Sequence, residues 1–139
     1  MKLLQILEEN INKKYLLNKL EEMGFDEESA IQELKDLIEY IQDLPKTIKL
    51  YRIISADEVK NINLKFPGSH YSMNKKNLLD SHTYLTGSGE KLFIIKVKAS
   101  KDLIDIPETL ANNILYPNEQ EITLKNKGKD VDIIYIREV

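Results

Sequence analysis

The chain has 139 residues, 42% of them hydrophobic and 31% charged, and its 20 Lys and Arg against 23 Asp and Glu leave a net charge of −3: an ordinary composition for one globular domain spanning 1–139. It contains no cysteine, which excludes disulfides, thiolate metal sites and cysteine nucleophiles, and its two histidines, His70 and His82, cannot build a zinc site without two further carboxylates, so no metal is expected. The acidic balance argues against a general nucleic-acid binder, and no apolar run approaches the ~20 residues that cross a bilayer, so no membrane partner and a cytoplasmic location are expected.

Residues 1–46 read as a helical hairpin. Leu3, Leu4, Leu7, Ile11, Leu17 and Leu20 recur at near-helical spacing over about residues 2–23, and Gly24 suits a left-handed helix stop. A second helix follows Asp26 as N-cap, with Glu27 and Glu28 in its first turn, an apolar stripe of Ile31, Leu34, Leu37, Ile38 and Ile41, and an end before Pro45. The two one-sided stripes must be buried against each other and the rest of the domain.

From Thr47 the period becomes two. The strand "IKLYRII" sets Leu50, Arg52 and Ile54 on one face and Tyr51 and Ile53 on the other, and Ser55 with Glu58 reads as a capping box opening a short helix over "ADEVKNI". "FPGS" is a turn, "HYSMN" a short strand, and "KKNLLDSHTYL" can be helical. "GSGE" lacks the third glycine and the following helix of a phosphate loop, which makes it a hairpin turn before the strand "KLFIIKVKA". "LIDI" reads as a strand, "ETLANNILYPNEQ" as a long polar connection, "EITL" as a strand, and "KNKGKD" as a solvated lysine-rich hairpin end leading into "VDIIYIREV".

Two features carry chemistry. Glu119 and Glu121 open the strand "EITL" two residues apart, so both project the same way when extended, an arrangement suited to acid/base or oxocarbenium chemistry. Of the 20 cationic residues only Arg52 and Arg137 are arginine, and Arg52 lies inside a strand beside apolar neighbours, where a planar bidentate donor has a use that lysine lacks.

The order of an arginine in the first strand, a serine in a short polar strand and E-x-E opening a late strand resembles the arginine-serine-glutamate class of mono-ADP-ribosyltransferases, known from bacterial toxins and bacteriophages. "KLYRII", "HYSMN" and "YPNEQEITL" carry the resemblance, over residues 47–139. It implies an α+β, ADP-ribosyltransferase-like fold: the helical hairpin, then a mixed two-sheet β core with an NAD cleft between the sheets. It implies NAD+ as co-substrate and ADP-ribose transfer with release of nicotinamide. By the same resemblance Arg52 serves the NAD pyrophosphate or nicotinamide-ribose side, and Ser72 supports the site and holds the catalytic glutamate. Glu121 becomes that glutamate, stabilising the oxocarbenium-like state as nicotinamide leaves. Glu119 matches the position that goes with arginine as acceptor, Tyr71 and Asn74 flank the serine as NAD contacts, and Tyr116 touches the acceptor. The partner so implied is a protein arginine, in host cytoplasm if the chain is phage-encoded, with a nucleic-acid acceptor left open. The serine-threonine-serine motif of the family is here Ser72-Met73-Asn74, with Ser69 as an alternative, so a catalytically inactive version acting as a binding module or inhibitor is the other expectation.

Overall fold

The computed structural model describes residues 18, 20–82, 91–115 and 121–139. Among these the first predicted helix contributes only its last turn. That turn ends as the spacing predicts: Gly24 takes φ +94°, Gly24 N donates to Glu21 O, and Phe25 N donates to Leu20 O, the paired bonds of a Schellman stop.

Helix α1 spans Glu27–Asp43, and the Asp26 side chain caps it by accepting from Ser29 N. This bond holds the Asp26 carboxyl below its ordinary pKa. The buried stripe is Ala30, Leu34, Ile38 and Ile41; Ile31 lies at its margin. Leu20, Ala30, Leu34 and Ile38 pack with Leu110 into one apolar cluster. Fully burying one such leucine or isoleucine contributes about 1.5–3 kcal/mol, so the helices are held chiefly by this seam.

Among the described residues, five strands form one sheet: β1 Thr47–Ala56, β2 His70–Ser72, β3 Lys91–Ser100, β4 Glu121–Thr123 and β5 Asp132–Glu138, in the order β4-β2-β1-β3-β5. Every ladder is antiparallel. This corrects the expected mixed two-sheet core. β2 adds to the free edge of β1 at Tyr51 opposite Ser72, and β4 adds to the outer edge of β2, so both extend the β1–β3–β5 sheet.

The face carrying Ile48, Leu50, Phe93, Ile95, Val97 and Ile122 is packed against Ile41 of α1 and forms the larger core cluster. β3 and β5 slip register between Lys96 and Val97, leaving Ile134 as the extra residue of a bulge.

Three local expectations are corrected. β1 stays paired through Ala56 opposite Lys91, so Ser55 is spent on the ladder and only a 3-10 turn, Val59–Asn61, follows instead of a capped helix. "LIDI" is not a strand: Lys101–Leu103 is a 3-10 turn, and Ile104 makes a single bridge to Leu124. The expected polar connection is helix α3, Ile106–Leu115. Asp105 Oδ1 accepts from Glu108 N, and Pro107 falls in the first turn, where its missing N–H is no loss.

Helix α2, Lys75–His82, matches expectation. The segment 125–130 is no hairpin end, because β4 and β5 are opposite edges of the sheet and this segment crosses between them. Asn126 and Lys127 take positive φ there, and Lys127 O accepts from Gly68 N. The "GSGE" turn lies outside the described residues. No helix among the described residues is long and apolar enough to cross a membrane.

Candidate active site

β2 and β4 bring two of the expected catalytic residues together. Ser72 is the direct cross-strand partner of Glu121, so their Cβ atoms rise from the same sheet face as directly opposed neighbours. Ser72 is buried, and its hydroxyl accepts from Asn74 N at 3.0 Å and donates to Asn74 O at 3.2 Å. This turn hands the chain from β2 into α2, whose first turn continues with Leu78 N donating to Asn74 O. Asn74 itself is exposed.

The Glu121 carboxylate is 17% exposed, and its Oε1 lies 2.9 Å from His70 Nδ1. The Glu121 main chain is fixed independently: its carbonyl accepts from Asn113 Nδ2 at 2.8 Å. A cleft of about 320 Å³ runs beside these residues, lined by Leu37, Tyr40, Met73, Asn113, Glu121 and Ile122. Tyr40 donates its hydroxyl to Met73 Sδ at 3.4 Å, tying α1 to the end of β2.

Arg52 and Tyr71 occupy the opposite face. Tyr51 is the partner of Ser72, so the alternation of the strand turns Arg52 away from Ser72 and toward the core side with Tyr71. Arg52 Nε donates to Pro67 O at 2.9 Å and Nη1 to His70 O at 3.0 Å. Burial draws its pKa below the usual arginine value, while nearby Tyr71 and Glu121 oppose that shift; the guanidinium stays charged regardless. Arg52 therefore does not meet Glu121 directly. The two are joined through His70, whose carbonyl binds the arginine and whose ring binds the glutamate.

Tyr71 is 1% exposed, a core residue rather than a surface contact for NAD. Its hydroxyl has no hydrogen-bond partner among the described residues, and burial pushes its pKa up to about 12, with Arg52 opposing. Glu119 and Tyr116 lie outside the described residues.

Two contributors had little signal in the sequence. His70 is readable only as sharing a strand face with Ser72 two residues on, and Asn113 stands in a segment whose asparagines resemble a loop. Among the described residues no group of three or more His, Asp or Glu is placed to hold a metal ion. Chemically, the arrangement offers one oriented, mostly covered carboxylate beside a small cleft, backed by an imidazole and a partly buried cation on the far side of the ladder.

Comparison with known proteins finds no matching family model, curated protein or solved structure.

Proposed function

We propose that the chain transfers a single ADP-ribose from NAD+ to an acceptor, an arginine side chain of another protein, releasing nicotinamide. The observation that carries this reading is the direct pairing of Ser72 with Glu121 beside the Leu37–Tyr40 cleft. It joins across one ladder the serine and glutamate whose order in the sequence suggested the reaction, and α1 lines the cleft beside them through Leu37 and Tyr40.

In the proposed step the bond between the nicotinamide nitrogen and ribose C1 breaks, and nicotinamide leaves as a neutral base with the bonding electron pair. C1 then carries developing positive charge, which the Glu121 carboxylate stabilises at close range. An acceptor guanidinium nitrogen bonds to C1 and gives up a proton to a base, the role assigned to Glu119. His70 keeps the Glu121 carboxylate from swinging away, and Arg52 holds the main chain of 67–70 that carries His70. The cleft volume is near the low end for small-molecule sites, which suits the nicotinamide end of a dinucleotide rather than all of it.

The test is label transfer from adenylate-labelled NAD+ to polyarginine and to lysate proteins. Glu121→Gln should abolish transfer while leaving the thermal melt unchanged, and transfer that survives this substitution overturns the assignment. The inactive binding-module reading is favoured by one observation, that Arg52 Nε and Nη1 are both committed to backbone carbonyls. Its signature is NAD+ binding by calorimetry with neither labelled acceptor nor free nicotinamide.

A further inference from the structure

The sheet face that bears Ser72 and Glu121 continues across the other strands as a row of direct partners: Ser72, Tyr51 on β1, Lys96 on β3 and Tyr135 on β5. Toward β5 this row changes character. Lys96 Nζ stands 5.5 Å from the Tyr51 ring centre and 5.8 Å from that of Tyr135, while Arg137 Cζ lies 4.1 Å and Lys75 Nζ 5.9 Å from the Tyr135 ring. Lys49 and Lys98, cross-strand partners, extend the same face by one more step.

The charge of this surface is opposite to that of the whole chain. It gathers Lys49, Lys75, Lys96, Lys98 and Arg137, none of which makes an ion pair among the described residues. On this face of β1, β3 and β5 the carboxylate is that of Asp132, opposite Lys98. Lys49, Lys75, Lys98 and Arg137 are exposed, and the two tyrosines are partly buried in the ladder. Clustered like charges on an acidic protein raise its energy unless a polyanion neutralises them.

We infer that this face binds single-stranded nucleic acid, with bases stacking on Tyr51 and Tyr135 and phosphates on the surrounding lysines and Arg137. A sheet surface bearing two aromatic rings takes two or three unpaired bases, and stacking tolerates any sequence because every base has a π face. A base stacking on Tyr135 displaces the Arg137 guanidinium, now 4.1 Å from the ring centre, onto a neighbouring phosphate. An anionic membrane would use the same charge but needs inserted apolar side chains, and tyrosines fixed in a ladder beside lysines do not supply them. The surface stands independently of ADP-ribose transfer, so either proposal can fail without the other.

The experiment uses the full chain and a fluorescein-labelled single-stranded RNA or DNA of roughly 16 nucleotides, the upper site size of one such platform. Anisotropy is followed between about 50 and 200 mM salt. Binding should weaken as salt rises, and Lys96→Gln and Lys98→Gln should each lower the salt slope by about one. Tyr135→Leu and Tyr51→Leu should weaken binding by ~5- to 100-fold with the slope unchanged, the signature of lost stacking. The triple change Lys125→Gln, Lys127→Gln, Lys129→Gln removes charge elsewhere and should leave binding intact. No binding at low salt overturns the proposal. So do tyrosine variants that bind as the native chain does, an equal loss in the Lys125 triple variant, or tighter binding to phosphatidylserine vesicles than to the oligonucleotide. The exposed Lys98→Gln variant keeps the test decisive even if a tyrosine variant melts.

Discussion

His70 Nδ1 stands 2.9 Å from Glu121 Oε1 while the His70 carbonyl accepts from Arg52 Nη1, so one residue of β2 fixes both charged members of the candidate site. The ring is half exposed and the carboxylate mostly covered, a combination in which the pair orients Glu121 more than it stabilises the fold. His70→Ala should cost at most about 1 kcal/mol in a urea melt, as expected of a partly exposed polar contact. If Glu121 acts at ribose C1, the same change should lower kcat by up to ~100-fold through misplacement of the carboxylate, with little change in KM for NAD+. A variant with native turnover would show that His70 does not position Glu121.

Arg52 acts by a different route. A Cβ built on Gly68 would lie 2.3 Å from Arg52 Nε and 2.5 Å from Cζ, and Gly68 sits at φ +131°. The backbone at 68 therefore packs flush on the guanidinium, in a conformation other residues rarely adopt. Gly68→Ala should destabilise by about 1–3 kcal/mol from the backbone conformation alone, more if the arginine is displaced. Arg52→Lys keeps the charge but cannot reach both Pro67 O and His70 O, and should cost about 2 kcal/mol. Chemical denaturation of both variants checks this; a Gly68→Ala protein as stable as the native one would mean the 67–70 segment is not clamped by Arg52.

Much of this arrangement was legible in the residues, and the failures have physical causes. Asp26, Gly24 and the Leu34–Ile38–Ile41 stripe act locally, so α1 and its boundaries follow from spacing. The alternation at the start of β1 is equally local, whereas β3 carries a continuous buried run, Leu92–Ile95, and the two share a ten-residue ladder. Which strands pair is not local: β2 extends the edge of β1, and β5 lies at the far side from β4, relations that no period encodes. Helix α3 escaped because Pro107, Asn112 and Asn113 mimic a loop, whereas the proline lies in a first turn and both asparagines hydrogen-bond to β4. In the site, Glu121 and Ser72 were singled out by type and order. Tyr71, singled out as their neighbour, proves to be core because its strand turns it to the other face.

Tyr71 makes a prediction of the opposite sign. A hydroxyl with no partner in a buried position is a liability, since desolvating it is uncompensated. Tyr71→Phe keeps the ring and should be neutral or stabilising by about 1 kcal/mol. The native tyrosine also adds a pH dependence. Burial pushes its pKa up to about 12 in the folded chain, above that of a free tyrosine, so the folded state holds the proton more tightly. That contribution to stability is complete below pH 10 and is lost as pH rises toward 12. Denaturation midpoints in this window should fall less steeply for Tyr71→Phe than for the native chain; identical slopes would mean the hydroxyl is solvated.

The outer edge of β4 is met by the main chain of Asp105, whose N donates to Thr123 O at 2.8 Å, and by side chains of α3. Thr109 Oγ1 of α3 accepts from Thr123 N at 3.0 Å and donates to Thr123 O at 3.3 Å, Asn112 Nδ2 reaches Thr123 Oγ1, and Asn113 Nδ2 donates to both Thr109 O and Glu121 O. Thr109 is fully buried, so Thr109→Val, nearly the same shape, leaves a buried backbone N–H without its acceptor. This should cost about 1–3 kcal/mol and expose a strand edge that invites self-association. Asn113→Ala is milder for stability, because Asn113 is only partly buried, but it releases the main chain of Glu121. The two variants should therefore separate: Thr109→Val lowers the melting midpoint and promotes aggregation on heating, whereas Asn113→Ala, if Glu121 acts at ribose C1, lowers turnover of the proposed reaction by roughly tenfold with a smaller loss of stability. If Asn113→Ala turned over normally, the position of Glu121 would have to be held by the β2 ladder and His70 alone.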